Sequence, residues 1–173
     1  MRNEDHNRAP RIYLGLGSNL GEREANLKEA ARLIGKLGLT IIGASSIYET
    51  EPVGYADQPW FLNQVVEVAS ARAIAPAELL ESLLRIEREM GRRPSVPDGP
   101  RLIDIDLLLY GDMVLSQAGI ILPHPRMHLR RFVLQPMAEI APDVEHPTAG
   151  KTMAEMLTAL EDSSTVRVYK AER

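Results

Sequence analysis

Two aspartates separated by a single residue, Asp104 and Asp106, lie in the middle of the apolar segment 102–110. The segment is rich in branched side chains, follows Gly-Pro and ends at Gly-Asp, which predicts a β-strand. Because side chains alternate across a strand, both carboxylates lie on one face, about 7 Å apart at about 3.3 Å per residue. At an effective dielectric constant near 20 their charges repel by about 2 kcal/mol. Mg²⁺ bound by one or two carboxylates and by phosphate oxygens would remove this cost.

The strand by itself allows two explanations of this pair. The acids are either solvated groups on the wet face of a half-exposed strand or ligands of a metal ion. The opposite face carries a continuous apolar row suited to a core, formed by Ile103, Ile105, Leu107 and Leu109. The metal is favoured by Arg92 and Arg101, which flank the loop before the strand, because guanidinium groups hold phosphate oxygens and the charge that develops in phosphoryl transfer.

The composition restricts the class of protein. With 173 residues, 45% of them apolar, the chain can form one domain with a hydrophobic core. The polar residues 1–10 are expected to be a disordered tail, and 11–173 a single domain. No apolar stretch approaches the roughly 18 residues of a membrane helix, so no membrane partner is expected. The net charge of −4 argues against nucleic-acid binding. The absence of cysteine excludes disulfides and thiolate chemistry and suits a reducing, cytoplasmic compartment.

Hydrophobic periodicity predicts the elements that position these side chains. Helices are predicted after the first strand and at residues 76–90, 133–140 and 152–160. In the first helix Gly38 is the expected stop, and Ser18 or Asn19 is the expected N-terminal cap. Strands are predicted at residues 11–18, 39–50, 60–68, 102–110 and 166–169, the last at a sheet edge.

The order strand–helix–strand–strand–helix–strand predicts an α+β protein of the split βαβ, ferredoxin-like class. Helices would cover one face of a mostly antiparallel sheet, and the other face would stay free for Asp104, Asp106 and the substrates. Phe61 and Asn63 point to one side of their strand. A ring that stacks beside an amide that donates and accepts suits a flat heterocycle. The alternative is that Phe61 belongs to the core and Asn63 caps a backbone group.

A second basic cluster follows the aspartate strand. His124 lies between two prolines that fix the backbone, and His128, Arg130 and Arg131 come shortly after it. A lone histidine is more often a surface or capping group than a catalyst. In a rigid loop beside arginines, a phosphate or nucleotide contact is equally well supported.

Short sequence motifs spread over most of the chain indicate which protein family it resembles. They are Gly-Ser-Asn-Leu-Gly at 17–21, Ser-Ser-Ile-Tyr-Glu-Thr-Glu-Pro-Val-Gly at 45–54, Asp-Gln-Pro-Trp-Phe-Leu-Asn at 57–63, Arg-Ile-Glu at 85–87, Gly-Arg at 91–92, Gly-Pro-Arg-x-x-Asp-x-Asp at 99–106 and Leu-Pro-His-Pro-Arg-Met at 122–127. From residue 12 to about 143 the chain resembles the 6-hydroxymethyl-7,8-dihydropterin pyrophosphokinase family of folate biosynthesis. Gly-Pro-Arg-x-x-Asp-x-Asp followed by Pro-His is highly specific for that family.

The resemblance implies transfer of a diphosphate from ATP to the hydroxymethyl group of the pterin, with release of AMP. Asp104 and Asp106 would bind two Mg²⁺ ions, and Arg92 and Arg101 would clamp the triphosphate as further catalytic residues. The ATP site would also include Leu80, Glu87, Leu107, His124 and Arg130. The pterin site would include Thr50, Pro52, Val53, Phe61, Asn63 and Phe132, with the two phenylalanine rings on either side of the pterin. The loops 51–59 and 92–100 would close over both substrates. We expect a monomer.

Three features depart from the family pattern. The loop after Gly91 is one residue shorter than usual and has Pro94 in place of an arginine. Asp98 stands where an aromatic residue commonly precedes Gly-Pro, and Pro125 follows the histidine in place of a tyrosine.

Two rival functions remain at this point. One is a non-catalytic ferredoxin-like ligand-binding module, and the other is a kinase that transfers only the γ-phosphate.

Overall fold

The computed structural model describes residues 9–171, so the predicted tail lies almost entirely outside the described residues. The strands are β1 (Ile12–Ser18), β2 (Leu39–Ala44), β3 (Tyr48–Thr50), β4 (Phe61–Ser70), β5 (Asp104–Tyr110), β6 (Leu115–Gln117), β7 (Ile120–Leu122) and β8 (Val166–Val168). The helices are α1 (Arg23–Lys36), α2 (Pro76–Glu89), α3 (Arg131–Ile140) and α4 (Met153–Thr158). In this part of the chain, no helix combines the length and the apolar character that crossing a membrane requires.

The main sheet is antiparallel in every pairing and has the order β5-β1-β4-β3-β8, with β2 also paired to β4. The sheet and its helices confirm the predicted α+β class. The segment 39–50, predicted as one strand, is two. It is interrupted at residues 45–47, where the Ser45 hydroxyl accepts a hydrogen bond from the amide of Val65. The final strand lies at the sheet edge, as predicted.

The first face of the sheet forms the larger core with α1 and α2. Even-numbered residues of β1 and their neighbours on β4 and β5 pack against the buried stripes of both helices. The stripes consist of Leu27, Ala30 and Ile34 on α1 and Leu79, Leu83 and Ile86 on α2. Glycines follow these helices at positive φ, Gly38 near α1 and Gly91 near α2, so both helices end where a left-handed residue becomes available.

The second face is not free, in contrast to the prediction from element order. At one end of the sheet, α3 and α4 cover it and form a second core with Tyr13, Val65 and Leu108. The other end of this face stays open, and that end carries Asp104 and Asp106. The chain after β5 is long enough to return over the sheet, which the pattern of the first six elements could not reveal.

Two local predictions were wrong. Leu109 does not share a face with Ile105 and Leu107, because the β1–β5 register shifts between Tyr13 and Leu14, and Leu109 joins the second core. A bulge of this kind reverses the alternation beyond it. Neither Ser18 nor Asn19 caps α1. Its N-cap is Glu22, without a capping side-chain bond.

Candidate active site

The open end of the second face places the functional side chains on three adjacent strands. Asp104 and Asp106 on β5 lie opposite Gly17 and Gly15 on β1. Gly17 in turn lies opposite Asn63 on β4. Because glycine has no side chain, β1 leaves an unobstructed floor between the carboxylates and the amide. A Cβ at residue 17 would lie 2.7 Å from the Asn63 amide oxygen.

Both carboxylate oxygens of Asp104 form ion pairs with Arg92 and Arg101, the two arginines predicted to hold the triphosphate. One carboxylate oxygen lies 2.7 Å from Arg92 Nη1, and the other lies 3.0 Å from Arg101 Nη1. The main chain of Arg101 is itself fixed by Asn19, whose side-chain oxygen accepts from its amide at 2.8 Å. Asn19 therefore anchors the entry to β5 instead of capping a helix. Both guanidinium groups are partly exposed and line the cavity of the site, where an anionic ligand could contact them.

Asp106 is in a different electrostatic state from its neighbour. The nearest basic side chain is the imidazole of His124, whose Nε2 lies 3.8 Å from the carboxylate, which is too long for a hydrogen bond. Burial and the negative charge of Asp104 raise the pKa of Asp106. Burial, with the charges of Arg130 and Arg126, lowers the pKa of His124 to about 4. The ring is therefore neutral at pH 7. Its Nδ1 accepts from the Arg126 amide at 3.2 Å, which assigns the ring proton to Nε2, facing Asp106.

Glu87 lies beneath these groups at the end of α2 and is only 3% exposed. One of its oxygens accepts from the Ile105 amide at 2.6 Å, and the other lies 2.6 Å from Arg92 Nη1. Burial raises the pKa of this carboxyl. The side chain joins α2 to β5 and fixes the arginine that contacts Asp104.

The other half of the site can hold a flat ring. Asn63 is 8% exposed and donates to the Thr50 hydroxyl at 2.6 Å, which orients its amide. Phe61 and Phe132 are the only phenylalanines of the chain, and both line the same cavity. Each ring lies under a guanidinium group, Arg101 at 5.7 Å and Arg130 at 5.3 Å.

One cavity of about 220 Å³ brings most of the predicted residues together. Its lining includes eleven of them: Thr50, Val53, Phe61, Asn63, Arg92, Arg101, Asp104, Asp106, His124, Arg130 and Phe132. Leu80 and Leu107 line an adjoining cavity that also reaches Asp106 and His124. Pro52 is half-buried beside this lining, and Glu87 supports it from below.

The lining also contains residues that the sequence did not assign to the site: Gly17, Glu51, Asp98 and Arg126. Arg126 could have been found, since it belongs to the quoted Pro-His-Pro-Arg motif. The basic cluster as a whole does not face the site. His128 lies against His146, with 6.0 Å between ring centroids, and Arg131 is bound to Asp162.

The donor set limits what metal could be held here. Within residues 9–171, no group of three or more His, Asp or Glu side chains is arranged to hold a metal ion. A cation at Asp104 and Asp106 would take its remaining ligands from water or from a bound substrate, and oxygen ligands of this kind suit Mg²⁺.

Comparison with known proteins gives consistent results. Residues 13–142 match the family model described as 7,8-dihydro-6-hydroxymethylpterin-pyrophosphokinase. The 2-amino-4-hydroxy-6-hydroxymethyldihydropteridine pyrophosphokinase of Bacillus subtilis is 44% identical over 91% of this chain and 89% of its own length. The enzyme of the same name from Methylorubrum extorquens is 42% identical over 91% of this chain and 98% of its own length.

A solved structure agrees in fold. The wild-type HPPK-DHPS protein of Plasmodium falciparum, crystallised with pterin and p-hydroxybenzoate, has a TM-score of 0.69 and 17% identity. The match covers 88% of this chain and 42% of that one, so this chain spans less than half of that larger protein. The family model and the bacterial relatives cover most of the chain, and it therefore belongs to the 7,8-dihydro-6-hydroxymethylpterin-pyrophosphokinase family.

Proposed function

We propose that this protein transfers the diphosphate of ATP to the hydroxymethyl group of 6-hydroxymethyl-7,8-dihydropterin, a step of folate biosynthesis that releases AMP. The observation that carries the proposal is a single cavity that joins two carboxylates and several guanidinium groups to two phenylalanine rings. The first set of groups suits a polyphosphate and the second a flat heterocycle. A non-catalytic ligand-binding module would need neither Asp104 nor the arginines that contact it.

The pterin half of the reaction is assigned to the aromatic part of the cavity. Phe61 and Phe132 would stack on the ring, and the oriented Asn63 amide would pair with its donors and acceptors. Thr50 would act through Asn63, while Pro52 and Val53 would border the ring from the adjoining loop. This arrangement would hold the hydroxymethyl group toward the carboxylates, and such positioning lowers the entropic part of the barrier.

We assign the metal to Asp104 and Asp106. Their oxygen donors and the raised pKa of Asp106, a carboxyl with no cationic partner in hydrogen-bond range among residues 9–171, suit a divalent cation. When bound, two Mg²⁺ ions would neutralise the phosphate charge and orient the β-phosphorus for attack. Asp104 would exchange part of its contact with Arg92 and Arg101 for the metal, which frees both guanidinium groups to hold phosphate oxygens.

The remaining predicted residues have supporting roles. Arg92, Arg101 and Arg130 would stabilise charge on the transferred diphosphate, and losing one such contact could cost about 2 to 4 kcal/mol of transition-state stabilisation. His124, neutral with its proton on Nε2, would donate to a phosphate oxygen. Leu80 and Leu107 would border the base in the adjoining cavity. The loops 51–59 and 92–100 would close over the substrates and exclude water.

The decisive experiment is to incubate the protein with ATP, Mg²⁺ and 6-hydroxymethyl-7,8-dihydropterin and to identify the nucleotide product. The proposal requires AMP and the pterin diphosphate. ADP would indicate transfer of the γ-phosphate alone, and unchanged ATP would favour the binding module. Asp104→Ala and Asp106→Ala should each lose transfer by several orders of magnitude, whereas Asp112→Asn on an exposed turn should not. Near-normal turnover in either alanine variant would contradict the metal assignment.

We also propose that one copy of the chain suffices for catalysis and that it acts in the cytoplasm, where ATP is abundant. Every group assigned above belongs to one chain, which supports the proposal that a monomer is competent. Sedimentation in the presence of both substrates tests this proposal, because activity confined to a dimer fraction would contradict it.

A further inference from the structure

The wall of the main cavity contains an ion pair that the reaction described above does not use. Arg126 Nη1 lies 3.3 Å and 3.5 Å from the two carboxylate oxygens of Asp98. Arg130 Nη2 lies 3.5 Å from the nearer of these oxygens. One carboxylate is thus shared by two guanidinium groups at the edge of the phosphate half of the site.

Asp98 is held in this position by its backbone as well as by the arginines. Its φ is +53°, the one positive value among the non-glycine residues of 9–171. Its carbonyl accepts from Gln58 Nε2 at 2.8 Å. Its side chain lies so close to Gly54 that a Cβ there would be 3.1 Å away. The Asp98 carbonyl therefore joins the loops 51–59 and 92–100, and its carboxylate links the second of these loops to Arg126 and Arg130.

Arg126 is placed to reach a ligand. Its amide is fixed on the His124 ring, and its side chain is 54% exposed. Within the described residues, Asp98 is its one acidic partner. The pair is loose, because its shortest distance, 3.3 Å, exceeds the 2.7–2.9 Å of a strong charge-assisted bond. An exposed pair of this kind contributes little stability. The Arg92–Asp104 pair at 2.7 Å is tighter.

We infer that Arg126 is an additional binding residue for the phosphate chain of the nucleotide, and that the Asp98 carboxylate occupies its guanidinium until a phosphate displaces it. A carboxylate and a phosphate present similar oxygen pairs to a guanidinium group, and the phosphate chain carries more charge. Displacement also releases the link between the loop 92–100 and Arg126. The inference deepens the proposed function and depends on its assignment of a polyphosphate to this cavity.

Calorimetric titration with sodium tripolyphosphate in the presence of Mg²⁺ tests this without requiring turnover. Arg126→Gln should weaken binding about tenfold, and Asp98→Asn should tighten it about threefold, because asparagine tolerates the left-handed backbone and lacks the charge. Arg126→Lys should fall between Arg126→Gln and wild type, since it keeps the charge and loses the fork. In the double variant, Arg126→Gln should remove most of the gain in tripolyphosphate affinity that Asp98→Asn produces by itself. Arg32→Gln, which breaks the surface pair with Glu29, should leave affinity unchanged.

The outcomes separate this inference from its alternatives. If Arg126→Gln binds within twofold of wild type, Arg126 is not a phosphate ligand. If Asp98→Asn weakens binding, Asp98 supports the loops and does not compete with phosphate. Thermal melting of each variant without ligand confirms that the variants fold. If the affinity changes occur as expected but no AMP is formed, the phosphate assignment stands and the diphosphate-transfer proposal fails.

Discussion

Asp104 and Asp106 share a strand face and a proposed metal, yet they differ in what surrounds them. Asp104 contacts two guanidinium groups, whereas Asp106 is half-buried with a neutral imidazole 3.8 Å away. The i, i+2 spacing of the two aspartates does not distinguish these states. The difference arises because Arg92, from the loop after α2, forms an ion pair with Asp104. Removing the charge of Asp106 is therefore expected to stabilise the protein, and removing the charge of Asp104 is expected to destabilise it.

At neutral pH without Mg²⁺ or nucleotide, Asp106→Asn should raise the free energy of unfolding by about 1 kcal/mol or more, since each unit of raised pKa corresponds to about 1.4 kcal/mol. Asp104→Asn should lower it by about 1 to 3 kcal/mol, because Arg101 loses its charged partner. Urea unfolding monitored by circular dichroism measures both changes, with Asp112→Asn as the exposed control. Destabilisation by both variants would contradict the assigned difference between the two carboxylates.

At the scale of elements, the site depends on two junctions that local patterns do not reveal. Glu87 connects the end of α2 to β5 through the Ile105 amide and Arg92. From the sequence it was assigned to the ATP site by resemblance alone. The second junction is the approach of β1 to β4, where Gly17 leaves room for the Asn63 amide. The first depends on how α2 packs against β5, and the second depends on the register of β1 and β4, which are distant in sequence.

Glu87→Ala should reduce the free energy of unfolding by about 2 kcal/mol, because the buried Ile105 amide loses its acceptor. It should also raise the KM for ATP more than it lowers kcat, since Arg92 is no longer held. Glu87→Gln keeps an acceptor and should recover much of the stability. Steady-state kinetics and urea unfolding of the two variants test this. Equal defects in both would contradict a positioning role.

Gly17→Ala should weaken pterin binding about tenfold or more, because a methyl group at that position displaces the Asn63 amide from its bond with Thr50. Calorimetric titration with the pterin measures the loss. The matched control is Gly35→Ala on α1, where a Cβ meets no atom within 4 Å and where alanine should add up to about 1 kcal/mol of stability. Unchanged pterin affinity in Gly17→Ala would exclude Asn63 from the pterin site.

At the scale of the whole molecule, Asp106 and His124 make opposing contributions to stability as pH changes. The raised pKa of Asp106 means that the folded state binds this proton more readily than the unfolded state. Its contribution therefore improves as pH falls from neutrality toward about 4. The pKa of His124, lowered to about 4 from 6.5, means that the unfolded state binds that proton first. Its contribution is lost as pH falls through that interval.

Measured against wild type by urea unfolding between pH 4 and pH 8, Asp106→Asn should lose more stability on acidification. His124→Asn should lose less, with slopes that differ from wild type by up to about 1.4 kcal/mol per pH unit. Asparagine at 124 can still accept from the Arg126 amide, so the comparison isolates the titration. Parallel profiles for all three proteins would contradict these assignments.

The sequence by itself determined the α+β class and the common face of Asp104 and Asp106, and it predicted a set of site residues most of which line one cavity. Alternation within a strand, helical spacing and contiguous motifs are local properties of the chain. The bulge that turns Leu109, the covering of half the second face by α3 and α4, and the pairing of Asp98 with Arg126 were decided only by the tertiary structure. Such contacts depend on where segments tens of residues apart meet, and no local period encodes that meeting point.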